Sequence, residues 1–299
     1  MQKKTIAKNI ENKISAWIAT LPEDLQKDVE KNVLVTGGCI ASMFLKEPVN
    51  DYDVYLMDMD VLKKLAEYYC RPFSLQVADG RNRASYLSCF QETVWIDGEE
   101  VKNSQKDKVF FENLKENQVK IKTGGSGFAV PNIVDDGSGK FLPIFISPNA
   151  ISLSDDLQIV VRFNGNAEQI HKTFDFVHAT NYWTKKTGLV LNIDALESIL
   201  TKQLRYQGSL YPLTTIIRIK KFLKRGWNIT AGEQLKVMFQ IAEFDLRNPR
   251  ILEEQLIGVD IAYFGALIEA LEGVKKDEIS SRYINTLIDK IFNESNDDV

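Results

Sequence analysis

Val33-Leu34-Val35-Thr36-Gly37-Gly38, then twelve residues, then Asp51-Tyr52-Asp53-Val54-Tyr55-Leu56 is the stretch on which the reading of this chain turns. A short β-branched run stopped by two glycines predicts a strand that ends in a tight turn. Residues 40–46 then read as a short helix that stops near Pro48, and residues 52–57 as a second strand with alternating faces. Residues 61–69 follow as another helix. The unit is therefore strand, glycine turn, helix, strand, and everything else in the chain is placed around it.

Two physical properties follow from that unit. A helix that opens directly after two glycines presents unpaired backbone N–H groups, and the missing side chains let a phosphate come close, which makes Gly37 and Gly38 a candidate phosphate cradle. Ser42 lies one turn into the same helix and is a further nucleotide-binding candidate. Strand alternation puts Asp51 and Asp53 on one face, where two carboxylates repel each other unless a cation lies between them. Hard oxygen ligands of this kind suit Mg²⁺, or Mn²⁺, with waters and phosphate oxygens completing the shell.

The pattern Val35-Thr36-Gly37-Gly38, twelve residues, Asp51-Tyr52-Asp53-Val54 resembles the signature of the DNA-polymerase-β-type nucleotidyltransferase superfamily. The resemblance implies two-metal transfer of a nucleoside monophosphate from a nucleoside triphosphate, ATP or CTP, to an acceptor hydroxyl, with release of pyrophosphate. It also implies a third carboxylate on a neighbouring strand. Asp175 in Phe174-Asp175-Phe176 is the candidate, because it sits in an apolar, strand-like run where a carboxylate requires a partner; Asp155 and Asp156 precede a strand and could equally be turn residues, while Asp135 and Asp136, in a glycine-rich loop, read as structural. His178, three residues on, is a candidate phosphate or base contact, with a satisfied core histidine as the competing reading. His171 stands in a polar link, and Asn181, Tyr182 and Trp183 could stack on a base or belong to the core.

The 299-residue length and 44% hydrophobic content fit a chain with more than one buried core. Three cysteines without CxxC spacing suggest reduced thiols and no zinc site. There is no run of eighteen apolar residues and no apolar leader, so the expectation is no membrane span and a cytoplasmic or host-cytoplasmic protein. The net charge of −4 excludes indiscriminate coating of nucleic acid, but charge is unevenly placed. Between Glu197 and Glu233 there is no acidic residue, while Lys202, Arg205, Arg218, Lys220, Lys221, Lys224 and Arg225 are all basic.

Arg218, Lys221 and Arg225 recur at helical spacing opposite Ile216, Ile219 and Leu223, which predicts a helix with one cationic face and Gly226 as its stop. Such a face could meet a triphosphate or an RNA backbone. The stretch 211–227 is similar, more loosely, to the helical region after the catalytic domain of CCA-adding and poly(A)-type enzymes, and that likeness implies a tRNA-like RNA 3′ end as acceptor. Nucleotidylation of a small molecule or a protein, toxin-type tRNA modification, and an inert RNA-binding protein of the same fold remain as alternatives.

The expected architecture is α+β. Residues 1–190 form a small mixed β-sheet catalytic domain preceded by helices, with a strand- and loop-rich insertion at about 79–150 marked by Gly80, Gly98, Gly124-Gly125-Ser126-Gly127 and Gly137-Ser138-Gly139. Sheet strands resume at 157–163 and 174–178. Residues 191–299 are expected to be all helical, with helices at 213–224, 233–244, 251–256, 263–271 and 281–292 and an acidic, frayed tail.

Overall fold

The computed structural model describes residues 2–76, 93–96, 99–102, 111–114, 117–121, 128–130 and 139–255, together with a few positions between 280 and 289. Most of the glycine clusters of the insertion, Asp135 and Asp136, and the expected helices at 263–271 and 281–292 lie outside the described residues.

The chain divides into two units: residues 1–171 with 178–196, and residues 172–177 with 197–299. In the first unit, α1 (Lys3–Ile18) and α2 (Glu23–Asn32) precede β1 (Val33–Thr36), α3 (Gly38–Leu45), β2 (Tyr52–Leu56) and α4 (Met59–Gln76). The break between α1 and α2 falls at Leu21-Pro22, since proline cannot donate to a continuing helix but is tolerated at its start. Ile6, Ile10, Ile14 and Trp17 are at most 1% exposed, so the apolar stripe read from the sequence is the buried face of α1. Each contributes roughly 1.5–3 kcal/mol of transfer free energy. Trp17 Nε1 donates to the Tyr69 hydroxyl at 2.8 Å, which satisfies the indole inside the core and joins α1 to α4.

The insertion supplies small antiparallel ladders, β3 (Thr93–Ile96) with β4 (Glu99–Lys102) and β5 (Phe111–Asn113) with β6 (Val119–Ile121). Within and after it the main sheet continues through β7 (Phe128–Ala129), β8 (Pro143–Ile146), β9 (Ala150–Leu153) and β10 (Leu157–Val160). A short helix, α5 (Ala167–His171), precedes the hairpin β11 (Tyr182–Thr184) and β12 (Gly188–Val190). The sheet order is β12-β11-β1-β2-β10-β9-β8-β7. Its pairings are antiparallel except β2 with β10, so the sheet is mixed, as expected. Val33, Val35, Val54, Leu56, Leu157 and Ile159 line the face that packs into the core with α1 to α4. The intervening residues face the other way.

The second unit contains most of α6 (Ile193–Thr201), then β13 (Gln203–Leu204), α7 (Pro212–Lys224), β14 (Asn228–Ile229), α8 (Ala231–Ala242) and α9 (Pro249–Gln255). Thr230 caps α8 by accepting from the Glu233 amide at 3.3 Å. Two expectations are corrected here. The C-terminal third is not all helix, because β13 and β14 pair in parallel through Gln203 with Asn228 and Leu204 with Ile229; runs of two residues are too short for any periodicity to show. The strand expected at 174–178 is instead a single bridge of Phe176 to Tyr206 followed by a 3₁₀ turn, Val177–Ala179. Among the described residues, no helix is long and apolar enough to cross a membrane.

Candidate active site

Gly37 is the N-cap of α3 with φ +93° and ψ −155°, a region that side-chain-bearing residues avoid. The space it leaves is used. A Cβ placed on Gly37 would lie 3.0 Å from Asp53 Oδ2, so the carboxylate of Asp53 rests against the bare α-carbon of the turn. A Cβ on Gly38 would meet nothing within 4 Å, so the backbone at the first residue of α3 borders open space. The Gly37 N–H is held by the Ala179 carbonyl at 3.1 Å, which fixes the turn from the β11 side. No side chain caps α3, and its first turn carries no acidic residue of its own.

Asp51 is exposed and Asp53 partly so. Both lie near Cys39 in the first turn of α3: burial pushes the Cys39 thiol far up, and the charges of Asp53 and then Asp51 push it further. Cys39 is therefore an unreactive, protonated core residue. Burial chiefly, with Cys39 and Asp156 adding to it, also raises the Tyr52 hydroxyl, so it stays neutral. Asp53 thus lies against the Gly37 turn, and Asp51, two residues before it, acts with it on Cys39. The donor set of the pair suits Mg²⁺ or Mn²⁺: hard carboxylate oxygens beside a backbone cradle that any side chain on Gly37 would fill. Ser42, further along α3, is buried at 7% exposure.

A neighbouring group was only faintly signalled in the sequence. Thr36 Oγ1 lies 2.9 Å from His171 Nε2 and donates to the Asn181 carbonyl at 2.8 Å. A hydroxyl has one proton, so His171 donates from Nε2 and is the neutral Nε2–H tautomer. Burial agrees, lowering the His171 pKa to about 4. The His171 ring meets Tyr182 edge-on at 5.8 Å. His178 is buried at 2% exposure in the 3₁₀ turn, one residue before the carbonyl that holds Gly37. Asn181 is fully buried and accepts the Asn192 amide at 2.9 Å, while Trp183 belongs to the hydrophobic core rather than to an exposed stacking surface.

Asp175 has a different environment, inside the second unit. It is 5% exposed, its Oδ2 is 2.5 Å from Arg218 Nη1, and its Oδ1 accepts from Ser209 Oγ at 2.7 Å. Ser209 Oγ in turn accepts the Tyr211 amide at 3.0 Å, and the Asp175 carbonyl accepts the Gln207 amide at 3.0 Å. The buried carboxylate has the partner the sequence demanded, but that partner is an arginine and a serine. Among the described residues no three His, Cys, Asp or Glu side chains are grouped to hold a metal ion. The cationic face of α7 changes accordingly. Arg218 is engaged with Asp175, Arg225 lies over the Phe222 ring at 5.5 Å, and Lys220, Lys221, Lys224 and Arg225 are exposed.

A profile for the Gabija anti-defense 2 family matches residues 8–202, more than half of the chain. No match was found among curated proteins. Among solved structures, the chain shows similarity to a Bacillus stearothermophilus CCA-adding enzyme in complex with CTP, at 12% identity and TM-score 0.34, covering 79% of this chain and 47% of that one. A Thermotoga maritima CCA-adding enzyme complexed with tRNA is similar at 12% identity and TM-score 0.36, covering 87% and 54%. A CCA-adding enzyme complexed with ATP shows 12% identity and TM-score 0.39, covering 97% and 63%. This chain spans about half the length of the first two.

Proposed function

We propose that this chain, which belongs to the Gabija anti-defense 2 family, transfers a nucleoside monophosphate from a nucleoside triphosphate to an acceptor hydroxyl and releases pyrophosphate. One observation carries the reading: Asp53 is seated against the left-handed Gly37, beside an uncapped helix start that borders open space. The turn and the first N–H groups of α3 receive phosphate oxygens, as helix N-termini do. Asp51 and Asp53 would hold Mg²⁺, which when bound neutralises the charge that builds up on the phosphoryl oxygens. In the reaction the acceptor oxygen forms a bond to the α-phosphorus, the bond from that phosphorus to the α,β-bridging oxygen breaks so that pyrophosphate leaves with it, and the hydroxyl proton passes to water. His171, kept neutral by burial, adds no positive charge to this face at neutral pH.

The acceptor proposed is an RNA 3′ end, supported by the exposed Lys220, Lys221, Lys224 and Arg225 of the second unit. A second reading is favoured by the engagement of Arg218 with Asp175, which takes one cation from that face, and by the name of the family: the acceptor is then a protein of a Gabija defence. One experiment decides between them. The protein is incubated with Mg²⁺ and each labelled nucleoside triphosphate in turn, against tRNA, total RNA, DNA and protein. Label on RNA supports the first acceptor and label on protein the second. Equal labelling by wild type and Asp53→Ala overturns the chemistry.

A further inference from the structure

The chain passes between its two units three times, because residues 172–177 belong to the second unit while the residues before them, up to His171, and after them, from His178 to Leu196, belong to the first. Both ends of this excursion return to one place. His171, the residue before it, donates to Thr36 Oγ1 at 2.9 Å, and Ala179, just after it, accepts the Gly37 amide at 3.1 Å. Thr36 Oγ1 donates onward to the Asn181 carbonyl at 2.8 Å. The two flanks therefore grip the last residue of β1 and the glycine that opens α3. Thr36 and Asn181 are fully buried, so these bonds are made away from water, where a lost partner is costly.

The middle of the excursion is fixed within the second unit. The Val177 amide donates to the Arg205 carbonyl and the Gln207 amide to the Asp175 carbonyl, each at 3.0 Å, on either side of the Phe176–Tyr206 bridge. Gln207 Nε2 donates to the Phe174 carbonyl at 3.0 Å. Asp175 adds the side-chain attachment, to Ser209 and Arg218. His178 alone separates Val177, held in the second unit, from Ala179, which holds Gly37 in the first. Two residue steps reach at most about 7 Å. His178 is 2% exposed and lies in a 3₁₀ turn, so the connection carries little slack.

We propose, resting on the nucleotidyl-transfer reading, that Asp175 is a positioning residue: its buried pairing with Arg218 and Ser209 fixes residues 172–177, these fix Ala179, and Ala179 fixes the Gly37 turn that receives the triphosphate. When Asp175 is loosened, Ala179 loses its hold on Gly37 and the cradle loses its shape, while Asp51 and Asp53 keep their places at β2. A role confined to the second unit differs in one respect, since it leaves the Gly37 hydrogen bond untouched.

Amide hydrogen exchange, read residue by residue, reports on that bond directly. Asp175→Asn keeps the shape of the side chain and removes its charge. Exchange at Gln207, whose amide donates to residue 175, should quicken, and exchange at Gly37 should quicken by roughly fivefold or more, the lower end of couplings between sites. The Met57 amide, bonded to the Asn32 carbonyl at 2.9 Å at the other end of β1 and β2, should stay within about twofold of wild type. Affinity for the α,β-methylene analogue of ATP or CTP with Mg²⁺ should fall by a factor similar to that at Gly37, with nucleotide-free Mn²⁺ affinity unchanged. Faster exchange at Gln207 with Gly37 unchanged overturns the role given to Asp175 and leaves the nucleotidyl-transfer reading in place. If wild-type protein binds neither analogue, that reading fails and the proposal falls with it, whatever the exchange at Gly37. A uniform rise at all three amides reports global loss of stability; Ser209→Ala, which removes one hydrogen bond from Asp175, then decides by the same comparison, and a faster Gln207 beside an unchanged Gly37 refutes the proposal there too.

Discussion

Replacement of Gly37 by alanine is the perturbation whose cost follows most directly from the geometry. Two terms act together. The backbone at φ +93° and ψ −155° is a region open essentially to glycine alone, and holding another residue there costs about 1–3 kcal/mol. The new methyl group would also lie 3.0 Å from Asp53 Oδ2, closer than side-chain carbons normally approach an oxygen, so the carboxylate must move by a few tenths of an ångström. The strain alone lowers the thermal midpoint by roughly 2–12 °C, at about 2–4 °C per kcal/mol for a unit of this size.

Gly38→Ala is the internal control. Its added methyl meets nothing within 4 Å, and alanine at the first helical residue reduces the entropy of the unfolded chain. Its stability should equal wild type or exceed it by up to about 1 kcal/mol. Differential scanning calorimetry of the three proteins, with Mn²⁺ titration of each, reads both consequences. Gly37→Ala should melt lower and bind Mn²⁺ more weakly, while Gly38→Ala should do neither. Equal melting of Gly37→Ala and wild type would refute the argument, because it would mean that the turn is not held against Asp53.

Asp175 and Asp53 should separate cleanly: Asp175→Ala lowers stability and leaves Mn²⁺ affinity intact, whereas Asp53→Ala abolishes Mn²⁺ binding with little loss of stability. Arg218→Ala leaves the Asp175 carboxylate buried with Ser209 alone, and should cost about 2–3 kcal/mol in denaturant unfolding, below the ~3–5 of a fully enclosed pair because water reaches the arginine. His171 is held near pKa 4 when folded, below the usual value of 6.5. The unfolded chain therefore binds the proton first, and the contribution of His171 is present above pH 6.5 and is lost as pH falls from there toward 4. His171→Gln should flatten the slope of thermal midpoint against pH in that window, and an unchanged slope would show that the ring is not desolvated.

The fold was legible wherever a pattern was long enough to repeat. The stripe Ile6, Ile10, Ile14 and Trp17 announced α1, and the β-branched run before Gly37 announced β1, because burial on one face leaves a period in the sequence. The pairs β13 with β14 and β11 with β12 did not announce themselves. Strands of two or three residues complete less than two periods, and their partners are set by tertiary contacts. The Phe174-Asp175-Phe176 run was read as a strand from its composition; instead Phe176 is buried at a bridge to Tyr206, where it packs edge-on at 6.1 Å, and Phe174 is half-buried.

The site divides in the same way, and the division has a physical cause. Gly37, Gly38, Asp51 and Asp53 are close in sequence because one strand–turn–helix–strand unit supplies them, so spacing alone brought them together. Asp175 was correctly identified as a buried carboxylate in need of a partner, but burial does not say which positive group supplies the charge. A metal ion and an arginine answer the same electrostatic demand. Arg218 lies 43 residues away and was read on the strength of its helical neighbours as part of an outward cationic face.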